Sequence, residues 1–421
     1  MSEGIPQRER AIVFLIGAVQ FINILEFVMV MPMGPDFAAG LGIPLSNVGL
    51  IGGAYTAAAS VAGVVGSYFL DRFDRRKALA VAMLGLVVAT AAGGFATGLT
   101  SLLVARALAG LFGGPATSLS MSIIADLIPA ERRGRAMGAV MGAFSVASVL
   151  GIPLALKLAG WAGWRMPFFA VAALGLLLVA GAIFYLPPMR GHLERQKGPA
   201  VSVRQLFTRT DVLLSYAMTS LLNVAGFVII PNISGYVQHN LGYPRDELEL
   251  IYFVGGLVSF VTLRAAGKAV DALGSFRVGT VGSVLFIGTL YISFIHLPAG
   301  VPLVAVFACF FLSNGVRNVS ASTLTSRVPE PSIRARFMSF QSAVQHLGAA
   351  AGAFLSSQML TDLPGGQLGG MNRVVLVSMA LTLVAPTMFF LVERRVLARD
   401  RVAAPPLAAV PVATDGGAPR S

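Results

Sequence analysis

Glu26 is the residue whose type and position most invite chemistry. It sits in Gln20-Phe-Ile-Asn-Ile-Leu-Glu-Phe-Val-Met-Val30, a run otherwise dominated by apolar side chains. Gln20, Asn23 and Phe27 recur around it at three- and four-residue spacing, so one face of a helix here is partly polar. Arg106 lies in a second apolar run, and a buried arginine needs a counter-charge or hydrogen bonds. No enzyme constellation accompanies these groups. The four histidines, His192, His239, His296 and His346, are scattered, and no loop cradles phosphate. The single cysteine, Cys309, allows no intramolecular disulfide or thiolate metal site. The expectation is therefore no enzyme, no cofactor and no metal.

Composition supplies the setting. Hydrophobic residues make up 56% of 421 positions and charged residues 12%, with mean hydropathy +0.77. A soluble domain carries about 25% charge, so this chain reads as an integral membrane protein. The net charge of +12 does not point to nucleic acid, because the basic residues sit in short turns between apolar runs. Spans of about 20 residues are predicted at 11–33, 46–70, 78–98, 101–124, 134–156, 166–186, 211–236, 247–268, 277–296, 302–323, 336–359 and 372–392. The first is read as a retained span rather than a cleaved signal. With both termini inside, the inner segments hold 25 lysines and arginines and the outer loops four. The positive-inside rule thus predicts cytoplasmic termini.

The chain also repeats. Ser67-Tyr-Phe-Leu-Asp-Arg-Phe-Asp-Arg-Arg-Lys77 has an echo in Gly267-Lys-Ala-Val-Asp-Ala-Leu-Gly-Ser-Phe-Arg277, with Asp271 in the place of Asp71, 200 residues on. Pro129–Met137 and Pro329–Met338 repeat in phase. Parallel halves of six spans predict a cavity between them at mid-bilayer. The organisation expected is a six-helix bundle over 1–186, a cytoplasmic linker over 187–210, a second bundle over 211–395 and a disordered tail over 396–421. The fold class is thus an all-α membrane protein of twelve transmembrane helices in two pseudo-symmetric bundles.

Depth then pairs the two charges. At 1.5 Å per residue, Glu26 lies about 12 Å and Arg106 about 8 Å below the outer face, so contact is allowed. A carboxylate there is costly and suits proton exchange, although a glutamate that only holds helices together would look the same. Asp71 and Asp271 are expected to cap the amino termini of spans eleven and five, closing the inner side. Arg72, Arg75 and Arg76 set topology and meet anionic headgroups. Gly134, Gly138 and Gly142, with Gly151 beyond, are expected to let helices approach closely. In the second half Asn223, Asn232, Asn314, Arg317, Gln341, Gln345 and His346 lie within spans, as cavity residues or interhelical hydrogen bonds. Tyr55 and Phe27 are candidate aromatic walls. Asp36 reads as a cap or a solvated charge.

The chain resembles the major facilitator superfamily over essentially its whole length. The family's Gly-x-x-x-Asp-Arg-x-Gly-Arg-Arg turn is matched by Asp71, Arg72, Arg75 and Arg76, with Ser67 and Asp74 in place of the glycines. The second copy keeps Gly267 and Gly274 around Asp271. Arg106 and Gly110 match the span-four Arg-x-x-x-Gly. Gly142, Gly151 and Pro153 resemble the antiporter motif of span five, with Ile152 intervening. Gly163-Trp-Arg165 resembles the bacterial drug:proton antiporter branch. The resemblance implies alternating access, a proton-transfer role for Arg106, and a monomer in the bacterial inner membrane. The function expected is proton-driven export of a small amphiphilic molecule. Alternatives are an importer or facilitator of an organic anion, sugar or lipid, and a transporter-like sensor or binding protein without turnover.

Overall fold

A computed structural model describes residues 7–189, 203–330 and 333–403. The side chains of residues 7, 8, 67–69, 71, 130, 131, 203–205, 335 and 401–403 also lie outside the description. Numbering the long helices alone, the first half contains α1 (Gln7–Val28), α2 (Val48–Phe69), α3 (Arg75–Gly94), α4 (Leu99–Leu127), α5 (130–162, interrupted) and α6 (Met166–Tyr185). The second contains α7 (Thr210–Phe227), α8 (Leu248–Leu273), α9 (Ser275–Leu290), α10 (Leu303–Arg327), α11 (Arg334–Met359) and α12 (Met371–Ala403). A two-stranded hairpin, β1 (Thr361–Asp362) with β2 (Leu368–Gly369), joins α11 to α12. Among the described residues, eleven stretches are long and apolar enough to cross a membrane. α11 is long enough but less apolar, and it packs between α2 and α7.

Proline punctuates equivalent places in the two halves. α1 stops at Val28 ahead of Pro32, and α7 stops at Phe227 ahead of Pro231. A proline disfavours helical backbone just before it and donates no amide. α5 breaks near Gly142 and widens into a π-turn over Ala147–Gly151, just before Pro153. Loss of the Pro153 amide frees a carbonyl one turn back, which accounts for the wide turn. Span one was expected to run to residue 33. Instead the chain turns at 29–33 and starts a short helix, Gly34–Leu41, on which Asp36 sits. At the other end α12 runs on to Ala403, beyond the expected boundary at 395. Arg399 anchors it by donating to the carbonyls of Arg327 and Val328. The linker stretch 190–202 and the tail from 404 lie outside the described residues.

The two halves meet along two seams. α2 and α11 pack extensively on each other, and the Ser60 hydroxyl donates to Ala343 O at 2.8 Å. α8 packs on α5, where a Cβ at Gly256 would lie 2.6 Å from Ser148 O. With the end where α1 starts called near, the far end carries explicit ties between the halves. Arg245 holds Asp36 through two hydrogen bonds of 2.9 and 3.0 Å, and it donates a third, of 3.1 Å, to Leu156 O. Asp362 accepts from the Ser46 amide at 3.2 Å and from its hydroxyl at 2.5 Å.

Candidate functional site

Glu26 and Arg106 form an ion pair inside the first bundle, their side chains 0% and 1% exposed. Arg106 Nη1 also points at the Glu26 carbonyl, 3.4 Å away. The guanidinium lies over the Tyr55 ring, 4.9 Å from its centroid, and Thr90 of α3 sits beside the carboxylate. Four helices therefore surround one charge pair. A second layer fixes it. Asn23 donates to Gly113 O at 3.0 Å and to Thr117 Oγ1 at 2.5 Å, and Tyr55 Oη donates to Asn23 Oδ1 at 3.2 Å. Among the described residues, Glu26 Oε2, Arg106 Nε, Arg106 Nη2 and Gln20 Oε1 make no good hydrogen bond. The pair thus keeps capacity for a proton or a polar ligand.

Close approach is what lets α2 and α4 carry this layer. A Cβ at Gly110 would collide with the Tyr55 carbonyl, so the position excludes any side chain. Thr117 and Gly113 were not singled out in the sequence. They share a face with Arg106 and Gly110 at steps of four, three and four, and extending that face would have found them.

Aromatic rings link this site to the second half. Phe27 stacks on Tyr55 at 5.0 Å and on Phe227 of α7 at 6.3 Å. Phe227 was also missed, although it lies four residues after Asn223. The other expected cavity residues do not converge. Asn223 donates to Thr219 O, and Gln341 donates to Thr219 Oγ1. Asn232 bonds back to Val228 O. Asn314 lies near Gly226, Gln345 is exposed and His346 is half-buried. Arg317 is fully buried within its own bundle, donating to Thr382 Oγ1 and Leu222 O and lying 3.8 Å over the Phe286 ring. The reason is rotation of each helix about its axis, which apolar spans do not specify.

Several expected contacts take another form. The Asp71 side chain lies outside the described residues. Asp271 is exposed, and the side chains of residues 130 and 131 at the start of α5 lie outside the described residues. Arg72 is exposed. Arg75 pairs with Asp126 at 2.7 Å and donates to Ser122 O, while Arg76 donates to Leu186 O. Those contacts tie the turn to α4 and α6 of its own half. Asp74 is the buried member, accepting from the amides of Arg76 at 2.9 Å and Met189 at 3.3 Å. Burial alone would raise its carboxyl, but the Met189, Arg76 and Lys77 amides hold it below the usual range. In the second copy, Gly274 supplies a φ of 87°, and Glu393 of α12 accepts from the Phe276 amide at 3.1 Å. Gly134, Gly138 and Gly267 are not close-packing points, since a Cβ at any of them would meet nothing within 4 Å. Gly142 would touch only its own preceding turn, whereas Gly151 packs on Leu25. Pro153 starts the last segment of α5. No cluster of three metal-ligating side chains occurs among the described residues.

The described helices form two bundles with a buried charge pair inside the first, the architecture of a polytopic membrane transporter. The Major Facilitator Superfamily model matches residues 16–353, and the chain belongs to that family. A chloramphenicol resistance protein of Streptomyces lividans is 26% identical over 372 residues, 88% of this chain and 94% of that protein. The purine ribonucleoside efflux pump NepI of Salmonella enteritidis is 29% identical over 255 residues, 60% of this chain and 62% of that protein. A bacterial homologue of the human lysosomal transporter Spinster shares the fold, with TM-score 0.78, 14% identity, and coverage of 94% of this chain and 99% of that one. The chain is thus a multi-pass membrane transporter with bacterial efflux relatives, consistent with the inner membrane.

Proposed function

We propose that this chain is a proton-coupled exporter of small amphiphilic molecules, working by alternating access. It crosses the membrane twelve times, with α11 as the least apolar span and both termini cytoplasmic. The observation that carries the reading is the Glu26–Arg106 pair, buried inside the first bundle and only partly satisfied. A proton and Arg106 compete for one carboxylate. Protonation from the far side frees Arg106 and loosens the α1–α4 contact. Deprotonation on the near side restores the pair. Linking substrate release to the first step and substrate binding to the second exchanges one substrate outward for protons inward. Membrane-embedded ionisable groups commonly serve such relays, and the efflux relatives support the outward direction.

The test is transport in proteoliposomes with an imposed pH gradient, chloramphenicol being the first substrate tried. Glu26→Gln mimics the protonated carboxyl. It is expected to retain binding and gradient-independent exchange while losing gradient-driven accumulation. Full gradient-driven transport by both Glu26→Gln and Arg106→Ala would refute the coupling role.

A further inference from the structure

Among the described residues, two arginines are fully buried, Arg106 and Arg317. Arg106 has Glu26 as its counter-charge, whereas no described carboxylate pairs with Arg317. The helices around it hold no acid to spare. α9, α10 and α11 contain no aspartate or glutamate. Asp211 of α7 pairs with Arg209, Glu393 of α12 caps α9, and Asp400 pairs with Arg327. The Arg317 guanidinium is steadied instead by Thr382 Oγ1 at 3.1 Å, Leu222 O at 3.4 Å and the Phe286 ring at 3.8 Å. These groups offer only partial charges, and Nε has no partner. The 200-residue repeat locates the imbalance. Asn223, Gly226, Phe227 and Arg317 stand where the first half has Asn23, Glu26, Phe27 and Thr117. In the first half Asn23 of α1 donates to Thr117 of α4, a neutral tie beside a neutralised pair. In the second half the acid position is glycine and the threonine position is arginine. The α7–α10 contact therefore carries a net positive charge.

We propose that Arg317 forms an anion subsite between α7 and α10, binding one negatively charged group the size of a carboxylate, a sulfonate or a halide. A charge taken out of water with no counter-charge is costly, and an arriving anion removes that cost. The boundary borders the meeting place of the halves, since Asn223 stands one turn before Phe227, whose ring meets Phe27. Asn314 stands one turn before Arg317. Both asparagines are half-buried, and Asn314 makes no hydrogen bond among the described residues. Its amide adds a neutral donor beside the unused guanidinium hydrogens. A Cβ at Gly226 would make only ordinary contacts, 3.7 Å to Ile230 and 3.9 Å to Asn314, so glycine leaves a methyl-sized gap there. α7 ends at Phe227, so the boundary widens by the swing of a helix end. The anion has two possible sources, the acid group of an exported amphiphile or a free ion such as chloride. With the first source the subsite deepens the exporter reading, on which it then rests, by giving the cargo its charge.

Binding in nanodiscs, with no gradient, tests the subsite and separates the sources. Radiolabelled naphthalenesulfonate is compared with naphthalenesulfonamide, the same ring without the charge. Wild type is expected to bind the sulfonate roughly tenfold or more tightly than the sulfonamide. Arg317→Gln should abolish that preference, and Arg317→Lys should restore part of it. A free ion as occupant gives another pattern: no sulfonate preference, but added chloride raises the melting temperature of wild type and not of Arg317→Gln. Equal binding of the two compounds by wild type, with no chloride effect, would overturn the subsite whether or not the variants fold. So would a preference or a chloride effect that Arg317→Gln retains. Where Arg317→Gln does not fold, Asn314→Leu at the half-buried edge takes its place. It should weaken sulfonate binding or the chloride effect and spare the sulfonamide, and equal weakening of both compounds would overturn the subsite. Transport is scored separately in proteoliposomes. Sulfonate bound through Arg317 but never driven by a pH gradient refutes the exporter reading and leaves the subsite. Chloramphenicol driven outward, with neither anion preference nor chloride effect, does the reverse.

Discussion

Removing the Asp36 charge is expected to open the far end. Asp36→Asn keeps the shape of the side chain but breaks the two-bond clasp that Arg245 makes across the halves. Charge-assisted hydrogen bonds contribute about 1.5–3 kcal/mol, whereas fully exposed pairs contribute below ~1 kcal/mol. These side chains are 20% and 22% exposed, between the two regimes, and asparagine retains one bond. The loss should therefore be about 1–2 kcal/mol, or roughly five- to thirtyfold in the ratio of far-closed to far-open molecules. Arg245 keeps Leu156 O as a partner, so the variant still folds. The assay is a distance distribution between spin labels at Ala39 and Asp246 in nanodiscs. A longer distance should gain population in Asp36→Asn, and the exchange Asp36→Arg with Arg245→Asp should reverse it. A distribution identical to wild type, or a swap that fails to restore it, would refute the latch. Asp362→Asn, which weakens the Ser46 tie, should add to the shift because it lies on the other seam.

Gly110→Ala is expected to lose most folded protein, read by size-exclusion fluorescence, because its methyl would fall on the Tyr55 carbonyl. Gly134→Ala and Gly138→Ala should instead hold or raise the melting temperature, since alanine gains up to ~1 kcal/mol of helix propensity where space is open. Asn23→Ala should weaken the α1–α4 connection by about 1–3 kcal/mol, because it strands Tyr55 Oη and removes the donor to Gly113 O and Thr117 Oγ1, and thermal melting in detergent would show it. Asp74→Ala should cost about 1 kcal/mol as a lost helix cap. The folded Asp74 carboxyl lies below its ordinary value, so that cost is fully present above pH about 4 and fades as pH falls through the folded value. A wild-type-to-variant gap independent of pH would contradict this.

Much of the architecture was legible because a bilayer imposes rules that sequence alone obeys. Apolar runs of spanning length made the long helices readable. The Glu26–Arg106 pair was readable for the same reason. Burying either charge alone in hydrocarbon costs so much that two such groups at matching depth predict each other.

Contacts that depend on helix rotation and on which loops meet were not readable. Asp36 and Arg245 lie 209 residues apart in polar segments where any charge is cheap in water, so nothing in the sequence demanded a partner. Gly110 and Gly138 are the same residue in similar helical contexts, yet one touches a carbonyl and the other faces open space. Asp74 read as a departure from a motif and proved to be a cap, because Met189 arrives beside it from the end of α6. By itself the sequence determined what must be buried and at what depth, since transfer free energy is a property of each residue. Only the tertiary structure decided which face meets which, because apolar helices turn about their axes at little cost until their neighbours are in place.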